Sequence, residues 1–469
     1  MSISTMLTYN YACPIDEIEM YFKYNNSIVH SAGKRVVAPY GLSGRNACEV
    51  KIVTKCVLED YDSAMEAARY SRSELLVILD IISFFIGNSM TVYDSNEVKS
   101  EKCSDNIDDK DNNLVKLKIC GVDYTQQLIV LIERLKSDTG LLVSMLDRWR
   151  KADYLTEQSN DANLLHDEAI LSYFHILELF GENYGKELKN QLDNNMSIML
   201  QDYFEKNYFL DEIAIENKVI AIKKIVGQAL MDGGLTLASK VKYFLKKVDL
   251  LDANLSYFID TAIGTRNSIA HGRITFQKKL IYPLPPFFCL AKDSYDILDM
   301  LKFLTGRMIA IYIGIDCWRD EWNEARKYLL PPKNVIKKFF ENPELFQNLN
   351  SESLCKGNKE HITWNSIFNH YVKEPRKFKI DLLQRAVGEC FLETIITEEN
   401  GYDIFNISVI LCDSSDEKIK SKAIDNVNIA INRQWHGWSN HKDALRFLDY
   451  HDIEVVWYKN YLEDKAPLL

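Results

Sequence analysis

Apolar positions recur at spacings of three and four over a long central stretch of the chain, the period of helices that pack by one face. Leu128, Leu131, Ile132 and Leu135 form one such series, and Leu142, Met145, Leu146 and Trp149 form the next after a break at Gly140. Ile170, Tyr173, Phe174 and Leu177 continue the period, and Ile297, Leu301, Leu304, Met308 and Ile311 mark a long helix ending near Gly314. Successive amphipathic helices bury their stripes against one another, so residues 125–330 are expected to form an all-α bundle. Pro283, Pro285 and Pro286 interrupt it with a loop, and Pro331 and Pro332 close it, because proline cannot continue a helix.

The flanks have a different texture. Residues 1–124 read as a mixed α/β domain with a sensing or regulatory role. Short β-like runs at Lys51 to Leu58 and Leu114 to Cys120 flank an apolar helix near Ser63 to Ile86, and the polar stretch Ser100 to Asn113 is expected to be an exposed loop. Residues 331–469 read as a small α/β domain: Ile407 to Asp413 and Ile453 to Lys459 look like strands, with helices near Lys418 to Ile431 and Lys442 to Leu448 between them. The expected fold class is multidomain α+β, with a central all-α bundle between a mixed N-terminal region and a small C-terminal α/β domain.

Composition narrows the function classes. With 47% apolar and 26% charged residues the chain reads as a globular protein rather than a disordered or fibrous one. The most apolar run, Leu75 to Gly87, is too short to span a bilayer and carries Asp80, so it reads as a buried helix. The first twenty residues lack the basic start and apolar run of a signal peptide, and a cytoplasmic location is expected. Ten cysteines are spread singly with no CxxC pair, which signals neither a zinc site nor a disulfide framework. Neither a cofactor nor a metal is expected.

A formal charge of −11 argues against a protein that coats nucleic acid through a general positive field. One stretch runs against that trend. Between Asn217 and Lys279 eleven basic residues stand against four acidic ones, and Lys240, Lys242, Lys246, Lys247, Arg273, Lys278 and Lys279 are the candidate contacts for a phosphate backbone.

Within that stretch lies the heptapeptide Arg266, Asn267, Ser268, Ile269, Ala270, His271, Gly272. An arginine and a histidine five apart are common, and Arg446 and His451 share the spacing. The asparagine directly after Arg266 and the glycine directly after His271 make the first match specific; the second lacks both. Cleaving RNA without a metal needs a base that takes the proton from a ribose 2′-hydroxyl, a task for which histidine has both protonation states accessible near neutrality. It also needs a fixed cation for the charge developing on the phosphate, which arginine's planar fork supplies. Asn267, four residues before His271, shares its helical face and is placed to hold the imidazole. Arg266 and His271 are turned about 140° apart on an α-helix, so two antiparallel helices at a two-fold axis aim them at one phosphate more readily than one helix does. An alternative local geometry has Gly264 breaking the helix and Thr265 capping a new one, whose free N–H groups would add a phosphate site.

The segment resembles the HEPN superfamily, in particular its ApeA-like branch, with an RN-x-x-x-HG motif in an all-helical bundle. The resemblance covers roughly Leu142 to Arg326 and includes the stretch Ala169 to Phe180, which looks like the family's earlier helix with a supporting acidic residue at Glu178. It implies a metal-independent RNA endonuclease with Arg266, Asn267 and His271 catalytic, RNA as substrate, and a homodimer through the motif helices. By the same resemblance it implies a defence or toxin system, restrained or triggered by an inhibitory or activating protein or a phage component. The competing expectation is a non-catalytic HEPN module for dimerisation or for nucleotide or protein binding; a third is that the C-terminal domain carries the main activity. The aromatic and basic segment Arg433 to Lys442 reads either as a base-stacking surface or as a turn packed by Trp435 and Trp438.

Overall fold

Alternation of buried and half-exposed positions organises the N-terminal end into a sheet. In the computed structural model, strand β4 (Asn46–Leu58) buries Val50, Ile52, Thr54 and Cys56 and leaves Lys51, Val53 and Lys55 half-exposed, the period-two pattern of a strand with one covered face. The structure describes residues 3–37, 46–58, 64–92, 95–103, 115–158, 165–208, 211–271, 297–358, 360–373, 379–438 and 440–465. Among these the chain forms seventeen α-helices and one seven-stranded antiparallel sheet, a multidomain α+β protein. None of the described helices is long and apolar enough to cross a membrane.

The sheet order is β5 (Ser95–Cys103), β1 (Ile3–Cys13), β4, β3 (Ser27–Val37), β2 (Ile18–Tyr24), β6 (Lys116–Ile119) and β7 (Val122–Asp123). Helix α1 (Ala64–Ile86) covers the face of Tyr9, whose hydroxyl meets Ser71 Oγ at 3.2 Å. The strand expected at 51–58 lies in β4, β6 covers 116–119 of the run expected at 114–120, and α1 covers 64–86 of the helix expected near 63–86. The loop expected over Ser100 to Asn113 needs correcting at its start. Residues 100–103 belong to β5, because β1 supplies a ladder of backbone partners to a charged edge strand that carries no apolar alternation of its own. The remainder, 104–113, lies outside the described residues.

Two compact units emerge: 1–250 with 297–322, and 251–296 with 323–469. The bundle expected over 125–330 is divided between them. In the first unit, α2 (Thr125–Ser137) buries the four residues the spacing singled out. The break after it falls at Asp138 rather than Gly140, which lies inside α3 (Thr139–Gln158). Helix α3 packs against α1, α4 (His166–Tyr208) and α8 (Ile297–Ile313), and Trp149 is fully buried among Phe84 and Trp318 at ring separations of 5.8 and 5.1 Å. Gly306 lets the Trp318 ring lie against α8, since a Cβ there would come within 2.9 Å of it. Gly314, at φ +92°, ends that helix at the expected place.

Two buried ion pairs tie these helices together. Asp80 of α1 accepts from Arg150 Nε of α3 at 2.5 Å, with Asp147 at 3.0 Å on the same guanidinium. Asp153 accepts from Lys302 of α8 at 2.5 Å. Burial pushes the Asp80 carboxyl up to about 7, against the pull of Arg150.

The second unit is helical throughout its described residues, which corrects the expected C-terminal α/β domain. Residues 407–411, read as a strand, belong to α14 (Gly401–Leu411), and most of 453–459 belongs to α17 (Val456–Lys465). The cause is burial on every side. Ile404 to Leu411 are all buried, and a helix enclosed all round shows a continuous apolar run that periodicity cannot tell from a buried strand. Helices α15 (Glu417–Arg433) and α16 (Lys442–Tyr450) match expectation. Pro332 stands immediately before α10 (Lys333–Glu341).

Candidate active site at the motif helix

The motif occupies the end of α7 (Ala253–Ala270) in the second unit, and this helix is held at its other end by a cap. Asp252 accepts from the backbone N–H groups of Asn254 at 2.9 Å and Leu255 at 2.7 Å, satisfying donors that a helix N-terminus otherwise leaves open. The same carboxylate accepts from Arg326 of α9 (Arg319–Arg326), through Nε at 3.1 Å and Nη2 at 2.5 Å. Burial pushes the Asp252 carboxyl up, but the Leu255 amide and Arg326 outweigh it and hold it below the usual range. Nearby, burial holds the His361 imidazole below its ordinary value.

From the cap, the buried positions Leu255, Ile259 and Ala262 run down one face of α7. Arg266 continues that line and is half-buried, whereas Asn267 and His271 are exposed. The helix therefore places Arg266 and His271 on different faces, as the offset of about 140° requires. Arg266 Nη1 donates to Asn267 Oδ1 at 3.0 Å.

Helix α7 runs unbroken through Gly264, which corrects the alternative in which a second helix starts there. Thr265 Oγ1 donates back to Thr261 O at 3.2 Å, and Ser268 Oγ to Gly264 O at 2.9 Å, so these hydroxyls serve the helix already formed. His271 is the C-cap, with its N–H donating to Asn267 O at 3.1 Å. This end of a helix exposes carbonyl oxygens, so its terminus does not supply the N–H groups that bind an anion. Gly272, Arg273, Lys278 and Lys279 lie outside the described residues.

The other candidates belong to the first unit. Glu178 is half-buried on α4. Helix α6 (Leu237–Lys247) carries the four lysines, and two of them have structural work. The Lys240 side chain lies across Gly181 and Gly185 of α4, where a Cβ at either glycine would meet it at 3.2 to 3.5 Å. Lys247 pairs with Glu187 at 2.7 Å and sits 5.2 Å from the Tyr184 ring. Lys242 is half-buried and Lys246 exposed.

Elsewhere in the second unit, the segment Arg433 to Lys442 is a packed turn at its centre. Trp438 is buried and donates from Nε1 to Asn406 Oδ1 at 2.9 Å, and Gly437, at φ +70°, lies against Tyr402. A cavity of about 550 Å³ opens between the turn Pro343–Phe346 and α13 (Ile380–Glu393), and no motif residue lines it.

Asp252 and Arg326 escaped the motif reading. The available signal was an aspartate three residues before the first buried position of an apolar stripe, the usual place of an N-cap. Asp252→Ala is expected to cost about 1 kcal/mol through loss of the cap, read as a lower midpoint in chemical denaturation. The pH dependence follows in sign. Because the folded carboxyl is held below its unfolded value, its contribution is complete above the unfolded pKa and is lost as pH falls through the folded one. Wild type and Asp252→Ala should therefore converge in stability under acid. No protein-family model, curated protein or solved structure matches the chain.

Proposed function

We propose that the chain is a metal-independent endoribonuclease of the HEPN type, acting in a defence or toxin system, with Arg266 and His271 as its catalytic pair. The observation that carries the reading is the end of α7, where an exposed His271 and the Arg266–Asn267 pair share the last turn of one capped helix. His271 takes the proton from a ribose 2′-hydroxyl, and the freed oxygen attacks the adjacent phosphorus. Arg266 holds the non-bridging oxygens as negative charge builds on them. The bond to the 5′-oxygen breaks as that oxygen takes a proton from water, His271 returns its proton to solvent, and the products carry a 2′,3′-cyclic phosphate and a 5′-hydroxyl. Two copies of the motif helix supply one site between them, Arg266 from one and His271 from the other.

The test is incubation of the purified chain with total RNA in the presence of chelator. Wild type should cleave and leave 2′,3′-cyclic phosphate ends, a substrate with deoxyribose at the scissile position should resist, and His271→Ala should leave the RNA intact. Cleavage abolished by chelator, or cleavage of DNA, would overturn the assignment. RNA left uncut by wild type in the presence of a dimer would favour the non-catalytic HEPN module.

A further inference from the structure

We infer that helix α5 (Glu212–Gly234) is a self-association surface, pairing antiparallel with α5 of a second copy of this chain about a two-fold axis that passes near Ile220. The exposed apolar side chains of the first unit concentrate on this helix and on the second half of α4. Ile198, Met199, Tyr203, Ile213, Ile220 and Ile225 are between 50 and 73% exposed. The two helices pack on each other, with Met196 and Phe204 of α4 and Ile215 of α5 buried, while Lys218 lies over the rings of Phe204 and Tyr208 at 5.6 and 5.2 Å, and Lys223 donates to Ser197 at 2.8 Å. Ile215 and Lys218 thus define the inward face of α5. At 100° per residue, Ile213, Ile220 and Lys224 fall on the side directly opposite, with Glu216 and Asn217 at its margins. Ile213 and Ile220 thus present exposed apolar side chains on the face of α5 turned away from α4, the kind of surface that supports association.

The charges flanking Ile220 name the occupant. On the side turned away from α4, Glu216 precedes Ile220 and Lys224 follows it, whereas Lys218 and Lys223 are engaged with α4. A face acidic on one side of its centre and basic on the other complements itself only when reversed, which is what a two-fold axis imposes on identical surfaces. With Ile220 at the axis, Glu216 of each copy stands opposite Lys224 of the other. An anionic membrane would have to accept Glu212 and Glu216 beside the isoleucines, so lipid fits this face less well. The association does not rest on the ribonuclease reading: it is read by mass, and that reading by cleavage.

The experiment is sedimentation of the full chain. Wild type is expected at no less than twice the 54.3 kDa chain mass. Ile220→Lys should lower that mass at least twofold at equal concentration, its dissociation constant rising by about tenfold or more, with an unchanged circular dichroism spectrum because the position is exposed. Glu216→Lys and Lys224→Glu should each weaken association, since each sets like charges against each other across the axis. Mixed in equal amounts they should restore it, because the lysine introduced in one chain then faces the glutamate introduced in the other, while the native Glu216 and Lys224 that remain face each other. A monomeric wild type, a mass unaffected by Ile220→Lys, or a mixture that associates no better than its components would each overturn the proposal.

Discussion

Asp80→Ala is expected to destabilise the first unit by about 3–5 kcal/mol, the range for breaking a buried ion pair by removing one partner. Asp80 and Arg150 have side chains 1% and 5% exposed, and the substitution leaves the guanidinium enclosed with only Asp147 and the Met90 carbonyl, at 3.0 and 3.3 Å. Arginine cannot relieve this by losing its proton. The reverse substitution is gentler. In Arg150→Leu the Asp80 carboxyl, already pushed up to about 7 by burial, loses the cation that opposed that rise and takes up a proton instead. Replacing both residues by leucine removes both buried charges and should recover much of the loss. Chemical denaturation of the three variants checks the ordering. An Asp80→Ala midpoint equal to wild type would show that the pair contributes nothing net.

The same aspartate shows what was legible in advance. Asp80 inside the run Leu75 to Gly87 marked a buried helix rather than a membrane span, and α1 is that helix. Its partner was not legible, because Arg150 lies seventy residues away and nothing local distinguishes it from a surface arginine. Periodicity placed α2 and the buried start of α4 well, since each presents one face to a core and solvent to the other. It failed at α14, where no face is polar, and at β5, where the neighbouring strand rather than the side chains dictates the conformation.

The motif helix was read from residue types, and its context only partly. The buried line of Leu255, Ile259 and Ala262 and its local cap on Asp252 were not singled out beside the motif, and the tie from Asp252 to Arg326 joins segments more than seventy residues apart. Counting lysines did not show that two of the four on α6 make contacts with a neighbouring helix. Lys240 and Lys247 are long aliphatic stems with a cationic tip, and the fold uses both parts: the Lys240 stem covers two glycines, and the Lys247 tip meets Glu187. Composition cannot separate such uses from binding, because the partners, Gly181, Gly185 and Glu187, come from another helix.

Mixing two inactive proteins should restore RNA cleavage if the motif acts across a pair of chains. Arg266→Ala and His271→Ala are each expected to lower cleavage by about 10²- to 10⁴-fold, the range for losing one charge-stabilising donor or one general base. Both are close to the end of α7, beyond its buried core positions, so neither change should unfold the helix. Arg266 lies on the half-buried line of α7 and His271 on its exposed face. In a pair of antiparallel motif helices, the arginine of one and the histidine of the other can meet a single phosphate. A heterodimer of the two variants then holds one site with both residues present and one site with neither. Activity should reappear, limited to one working site per heterodimer. If each chain instead built its own site, every site in the mixture would still lack one residue and no activity would return. Subunit exchange must be shown independently, by mass or by fluorescence transfer between labelled chains. With exchange established, an inactive mixture would reject the shared site while leaving the roles of Arg266 and His271 to the single-variant measurements.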